Sequence, residues 1–368
     1  MALMGSDELI VRLMLTGYRG LVRPVLFAAA NGDPEEIHSQ VIALLSELPD
    51  SVLLRLEALL GERRNPIEVA GIRFPGRVGI AAGMDKDGTA ARSWAALGFG
   101  FAELGTVTAH AQPGNRQPRL FRLPHSRAII NRMGFNNAGV EALAARLDQW
   151  GVRRGRNVLD LPIGVSIGKT KVVPIEDATD DYLTSLRTIG PYADYVAINV
   201  SSPNTPNLRS LQARDALTGL TGALVSTARE LDPGNPIPIF VKLAPDLSPT
   251  DLGNMIDVCE EAGIAGLVAT NTTTAREFLH PSELHLASQA GGLSGAPLHR
   301  KSLRMVEAAA RRTRLPIMGV GGIMSPADAQ HFFDAGAALV QLYTGFIYNG
   351  PALVRGVNTL TRPDRVQR

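Results

Sequence analysis

The sequence predicts an α/β fold, a (β/α)8 TIM barrel preceded by a small all-helical extension, and three observations carry that reading. From Pro75 onward eight short apolar runs alternate with amphipathic stretches. The runs are continuously apolar, as parallel strands buried on both faces must be. No GxGxxG motif opens a helix after the first run, which weakens a doubly wound dinucleotide-binding sheet. Eight such units over about 290 residues suit a closed barrel better than an open sheet.

Taken in order, residues 1–65 read as helical and residues 66–368 as the barrel. Apolar stretches at Leu9–Leu15 and Leu21–Ala30 are interrupted by Arg12, Arg19 and Arg23, so no run is long enough to cross a bilayer. No small-residue cleavage site follows a clean apolar core, which argues against a secretory signal. An arginine-bearing apolar segment of this kind is expected to lie on a membrane. Asp33-Pro34-Glu35-Glu36 is a helix start: Asp33 caps, Pro34 suits the first turn, and the acids favour the positive end of the dipole. Ile37, Val41, Leu44, Leu45 and Leu48 follow at helical spacing, and Val52, Leu53, Leu56, Leu59 and Leu60 repeat it after Pro49-Asp50. The predicted strands are 78–82, 101–105, 163–167, 195–200, 238–243, 265–270, 316–320 and 338–342. Ser248-Pro249 and Ser325-Pro326 mark helix starts between them. The stretch 107–160 is too long for one crossover and predicts an excursion over the barrel mouth.

Composition narrows the function classes. A net charge of +2, with no dense Lys/Arg block, argues against a nucleic-acid binder. The single cysteine, Cys259, excludes an internal disulfide and a cysteine-rich metal site.

In a barrel the residues just beyond the C-terminal strand ends face the active site. Here they are Gly83, Asp85 and Lys86; Thr106; Asn199, Ser201, Ser202 and Asn204; Lys242; Thr270, Asn271 and Thr272; Gly321 and Gly322; and Tyr343, Thr344 and Gly345. Only Asp85 offers a carboxylate, so the set is short of parts for metal catalysis or paired-carboxylate hydrolysis, and no metal is expected. Amides and hydroxyls suit a flat, polar heterocycle. The lysines suit anionic groups or an electron-rich cofactor ring, and the glycines after strands seven and eight lie where barrels bind phosphate. Each feature also has a plainer reading. A Gly-Gly pair is often a tight turn, a strand-end lysine is often solvated, and Ser201-Ser202-Pro203-Asn204 can be turn chemistry alone. Lys169 and Lys171 read as solvated. His110, His125, His280, His285, His299 and His331 show no ligand spacing.

Six motifs give these residues a resemblance: Ala82-Gly-Met-Asp-Lys-Asp-Gly88, Asn131-Arg-Met-Gly-Phe-Asn136, Asn199-Val-Ser-Ser-Pro-Asn-Thr205, Gly291-Gly-Leu-Ser-Gly295, Gly319-Val-Gly-Gly322 and Tyr343-Thr-Gly345. In this order, over nearly the whole chain, they resemble the dihydroorotate dehydrogenases. Soluble members place a cysteine in the strand-four loop and quinone-linked members a serine; Ser202 holds that place here. The helical extension also resembles the quinone-linked branch, where two helices form an apolar way in from the bilayer.

The resemblance implies roles. Ser202 would take the C5 proton of dihydroorotate while hydride passes from C6 to FMN, with Thr205 as a candidate relay. Lys86 would pair with the substrate carboxylate, and Asn131, Arg132, Met133, Gly134, Phe135, Asn204, Asn271 and Thr272 would form the substrate wall. Ala82, Gly83, Lys86, Thr106, Asn199, Lys242 and Thr270 would adjoin the flavin, and Gly295, Gly322, Tyr343 and Thr344 its phosphate. The family's Asn-x-Gly-Lys after strand three is Ser166-Ile-Gly-Lys169 here, so Ser166 is a flavin neighbour whose contact is lost or bridged by water. His38, Arg122 and Tyr343 match quinone-side positions, and His38 also reads as an ordinary half-buried histidine. The implied acceptor is a membrane quinone, ubiquinone or menaquinone. Asp7 and Glu8 speak against an acid-poor presequence and for the cytoplasmic face of a bacterial inner membrane. Other flavin barrels acting on pyrimidines use cysteine as the acid, which Ser202 disfavours. A non-catalytic barrel on a membrane surface would not need this complete set of mouth residues.

Overall fold

Eight parallel strands close into one barrel because each is buried on both faces and can satisfy its backbone only against two neighbours. They are β1 (Val78–Ile80), β2 (Phe101–Val107), β3 (Ile163–Ile167), β4 (Tyr195–Ile198), β5 (Ile239–Leu243), β6 (Gly266–Ala269), β7 (Ile317–Val320) and β8 (Leu339–Leu342). They pair in sequence order, with β8 returning to β1 through Val340–Val78 and Leu342–Ile80. The computed structural model describes residues 6–61, 63, 65–156 and 158–360. Each predicted strand is present. The ends of the predicted segments 1–65 and 66–368 reach beyond the described residues.

The lower half of the barrel is solid. Phe101, Tyr195 and Phe240 point inward, where a β-carbon on Gly79, Gly164 or Gly266 would fall 2.4, 2.0 or 2.3 Å from their rings. Glycine therefore makes room for each large ring, in the alternation of large and small residues that fills barrel interiors. A hairpin of Ile67–Val69 and Ile72–Phe74 plugs the floor, with Phe74 edge-on to Phe101 at 5.3 Å. Chemistry is left to the opposite end. There the long excursion forms a hairpin, Leu120–Leu123 and Ala128–Asn131, which pairs with Gly292–Gly295 as a three-stranded sheet over the mouth.

Among the described residues the extension forms the helices α1 (Ser6–Gly17), α2 (Arg23–Ala28), α3 (Pro34–Ser46) and α4 (Asp50–Leu60), with a π-helical turn at Tyr18–Val22. Asp33 caps α3 as expected, its carboxylate accepting from Glu35 N and Glu36 N at 2.8 and 3.2 Å. Ser248 and Ser325 cap their helices likewise, each accepting from the N–H three residues on. Among the described residues no helix is long and apolar enough to cross a membrane. Leu9, Leu13, Leu21, Val25, Leu44, Leu54 and Leu59 nevertheless stay exposed.

Candidate active site

One cavity occupies the barrel mouth, and residues from seven strand ends converge on it. Ala82, Gly83 and Lys86 follow β1; Thr106 ends β2; Asn199, Ser202 and Asn204 follow β4; Lys242 lies on β5; Thr270, Asn271 and Thr272 follow β6; Gly321 and Gly322 follow β7; and Tyr343 and Thr344 follow β8. The excursion contributes Asn131, Met133, Gly134 and Phe135, and the covering sheet Gly295. The side chains hold one another in place. Asn271 donates to Asn199 Oδ1 and Ser201 Oγ, each at 3.0 Å, and Asn199 donates to Thr106 Oγ1 at 3.0 Å. Asn204 donates to Asn131 Oδ1 at 3.1 Å. Ser202 Oγ accepts from Asn204 N at 3.2 Å and is 5 % exposed, so the hydroxyl is both oriented and largely desolvated.

Some polar capacity in the wall remains unused. Asn204 Oδ1 and Asn136 Oδ1 are buried with no hydrogen-bond partner. Such orphaned acceptors are costly unless something in the cavity satisfies them, and N–H donors on the edge of a planar heterocycle meet that need. At the other end of the cavity a β-carbon on Gly322 would fall 2.5 Å from His299 N and 2.8 Å from Gly295 O. Gly322 also has a φ of 71°, so only glycine fits. Ser294 and Thr344 share a hydroxyl hydrogen bond at 2.8 Å beside it. Main-chain N–H groups, glycines and hydroxyls suit a phosphate.

Burial shapes the titration of the wall. It pushes the Lys86 ammonium down, opposed mainly by the nearby Glu35 carboxylate. Tyr343, whose hydroxyl donates to Gly83 O at 3.3 Å, is pushed up to about 12 by burial and stays protonated. Asp85 turns away from the cavity: its oxygens accept from Thr89 N, Ala90 N and Trp94 Nε1 at 2.7–3.1 Å. Burial still raises it to about 6.

A second, apolar cavity lies between the extension and the barrel. Tyr18, Phe27, Ile37, His38, Val41 and Leu45 form one wall, and Met84, Arg122, Phe346 and Ile347 the other. Leu120, Ile129 and Tyr343 line both cavities, so the channel meets the mouth there. Burial and then the Lys86 charge lower His38 to about 3, leaving its imidazole neutral at ordinary pH. The Arg122 guanidinium donates to Phe27 O and Gly32 O at 3.0 and 2.5 Å and lies 4.3 Å over the Phe27 ring. It ties the α2–α3 turn to the covering hairpin.

Three expected site residues are placed elsewhere. Arg132 points away from the mouth, donating to Gln289 Oε1 and Pro118 O at 2.8 and 2.7 Å. Ser166 is fully buried one layer behind the wall, its hydroxyl 2.9 Å from Thr106 Oγ1. Thr205 is buried in the Ser202 loop and does not line the cavity. Lys169, expected to be solvated, is 3 % exposed and donates to Thr170 O and Val173 O. A short loop after β3 folds over it, which spacing could not reveal. Lys171 is exposed. His299 and His331, far apart in sequence, come with Asp328 to within 4.8 Å of one another in the outer helical layer.

Sequence reasoning missed a supporting tier. Asp246 accepts from Thr273 Oγ1, Thr274 N and Lys301 Nζ, and those bonds lower its carboxyl despite burial. Arg209 bridges Asp246, Ser201 O and Thr272 O, pinning the Ser202 loop to the β6 loop. Glu35 on α3 takes both Nε and Nη2 of Arg119 at 2.7–3.1 Å, and Arg119 donates to Asn115 O at 2.7 Å. Asn115 in turn donates to Asn204 O at 3.1 Å. Of these residues only Glu35 carries a sequence signal, as an acid in the first turn of α3; Asn136, which lines the cavity, carries one as the last residue of a mouth motif.

A closed (β/α)8 barrel whose mouth joins a glycine-walled anion cradle to an amide- and hydroxyl-rich wall defines an enzyme class. It is that of barrels handling a flat polar substrate beside a phosphorylated cofactor. The sequence profile of the dihydroorotate dehydrogenase family matches residues 66–360, and the chain belongs to that family. It is 50% identical over 350 residues to a protein of Chloroflexus aurantiacus named dihydroorotate dehydrogenase (quinone), covering 93% of this chain and 95% of that one. A protein of the same name from Salinispora arenicola is 50% identical over 349 residues, covering 94% and 99%. Among solved structures, dihydroorotate dehydrogenase of Eimeria tenella in complex with ferulenol aligns with a TM-score of 0.79 at 37% identity, over 92% of this chain and 93% of that one. Its ligand-free form aligns at 0.74 and 36%, over 84% and 93%.

Proposed function

We propose that the mouth carries out the oxidation of dihydroorotate to orotate in pyrimidine biosynthesis, with electrons passing through FMN to a membrane quinone. Relatives named dihydroorotate dehydrogenase (quinone), at 50% identity over more than nine-tenths of the chain, support substrate and acceptor. The observation that carries the reading is a single cavity uniting the Ser202 loop, the asparagine wall and the glycine cradle, with Tyr343 shared by an apolar channel.

The residues divide the work by their chemistry. Ser202 takes the C5 proton of the substrate; its near-complete burial disfavours solvent competition, and Asn204 N orients the oxygen. Thr205, buried on the same loop, supports it without lining the cavity. Lys86 pairs with the substrate carboxylate. Asn131, Asn204, Asn271 and Thr272 meet the pyrimidine edges, with Met133, Gly134 and Phe135 closing the wall. Ala82, Gly83, Thr106, Asn199, Lys242 and Thr270 hold the flavin ring, Ser166 steadying Thr106 from behind. Gly295, Gly322, Tyr343 and Thr344 hold the phosphate. Held there, FMN would supply the two-electron acceptor for the hydride at substrate C6 and the donor to the quinone. His38, neutral in place, and Tyr343 offer hydrogen bonds to a quinone carbonyl, and Arg122 braces the channel.

The exposed leucines and valines of the extension, with Arg12, Arg19 and Arg23 among them, favour peripheral seating on a membrane surface. We assign residues 1–65 to that role, on the cytoplasmic face of a bacterial inner membrane. Anaerobic stopped-flow absorbance tests the whole reading. Dihydroorotate should bleach the flavin band and a quinone should restore it. A yellow protein that does not bleach would overturn the substrate, and one that bleaches but is not restored would overturn the acceptor.

A further inference from the structure

Beneath the lysine that faces the mouth lies a buried carboxylate that does not line the cavity. Glu103, on β2, is completely inaccessible to solvent. An ionised side chain inside a barrel is expensive unless its oxygens are satisfied, and an apolar residue of the same volume is often as stabilising. The arrangement around Glu103 is accordingly specific and uneven. One oxygen, Oε2, accepts from Gln341 Nε2 at 2.7 Å and from the Tyr195 hydroxyl at 3.3 Å. The other, Oε1, has no hydrogen-bond partner and faces Lys242 Nζ at 3.8 Å. That separation is too long for a hydrogen bond and within ion-pair reach, in a setting where screening by water is weak. Burial and the adjacent carboxylate hold the Tyr195 phenol far above its usual range, so it stays a donor. Gln341 and Tyr195 thus clamp one oxygen and turn the other toward Lys242. Lys242 is itself 6 % exposed and lines the cavity.

We propose that Glu103 is a positioning residue for Lys242, a fixed counter-charge beneath the cavity that holds the ammonium at the wall and moderates its pull on a reduced flavin. The inference rests on the reading that this cavity binds FMN. Positive charge beside the ring favours the electron-rich reduced state; a carboxylate on the far side of that charge opposes it. Glu103, with Gln341 and Tyr195, then sets the flavin midpoint potential through Lys242.

The test is reductive titration of the FMN-loaded protein and its variants against a reference dye. Glu103→Gln keeps shape and removes charge. It should raise the potential, with the reduced flavin favoured about tenfold more, ~30 mV for a two-electron couple. Tyr195→Phe removes a donor from Oε2, strengthens the carboxylate field and should shift the potential the other way. Lys242→Met should lower it, and adding Glu103→Gln to Lys242→Met should raise it by clearly less than Glu103→Gln does alone, because only the direct field of the carboxylate then remains. If either the Glu103 or the Tyr195 variant binds FMN at an unaltered potential, whatever its melting temperature, Glu103 is only a structural residue and the proposal fails. An equal shift in the Lys242→Met background would show that it does not act through the lysine, and overturns the proposal too. Wild-type protein that takes up no FMN would instead remove the flavin reading on which the proposal stands.

Discussion

The barrel mouth and the N-terminal extension solve opposite problems with the same chain. At the mouth, polar side chains lock one another: Asn271, Asn199 and Thr106 form a hydrogen-bonded row, and Asn204 rests on Asn131. The extension instead presents an apolar wall held by a few polar anchors. Tyr18 donates to Ile347 O at 3.0 Å, Arg19 to Asn349 Oδ1 at 2.8 Å, and Glu35 grips Arg119. Recognition of a small polar heterocycle needs fixed donors and acceptors, because each unmatched buried group is penalised. A long apolar acceptor needs only a dry passage with a polar group at its inner end. The two regions meet at Tyr343.

Substitutions separate them in order of expected effect. Ser202→Ala should slow flavin reduction by dihydroorotate by about 10²–10⁴-fold, the usual worth of a positioned base. Flavin content should hold, and single-turnover absorbance reads both; near-normal reduction would remove Ser202 from the chemistry. Glu35→Gln strands the Arg119 charge at the seam, and breaking such a buried pair costs about 3 kcal/mol. Urea unfolding should report that loss. Because Arg119 and Asn115 support the Asn204 backbone, the KM for dihydroorotate should rise as well. A stability loss with unchanged KM would uncouple extension and substrate loop.

Val41→Asp places a charge in the channel wall. It should weaken use of long-chain quinones by about tenfold, of the order of burying one poorly matched polar group, and leave flavin reduction untouched. Equal damage to both half-reactions would mean that the channel does not serve the acceptor separately. The last effect is electrostatic and is confined to acid. His38 titrates at about 3 when folded and near 6.5 when unfolded, so between those values the unfolded chain binds the extra proton. Its contribution to stability is therefore present above about pH 6.5 and is lost as the pH falls toward 3. His38→Gln should flatten that part of the stability profile relative to wild type; parallel profiles would show that the imidazole is not shielded.

The sequence by itself determined the barrel and most of its mouth. Eight apolar runs at regular spacing have one efficient burial, and strand ends must face the same way once the strands are parallel. Helix caps at Asp33, Ser248 and Ser325 were legible because capping is a local bond between neighbours in the chain. The tertiary structure alone decided what depends on distant residues. It sent Arg132 outward to Gln289, set Ser166 behind Thr106, and buried Lys169 under its own loop. It also joined Glu35 to Arg119 across 84 positions and Glu103 to Gln341 across 238. Periodicity reports which face of an element is dry. Which partner a buried charge or amide finds there depends on how the elements close, and no local pattern encodes it.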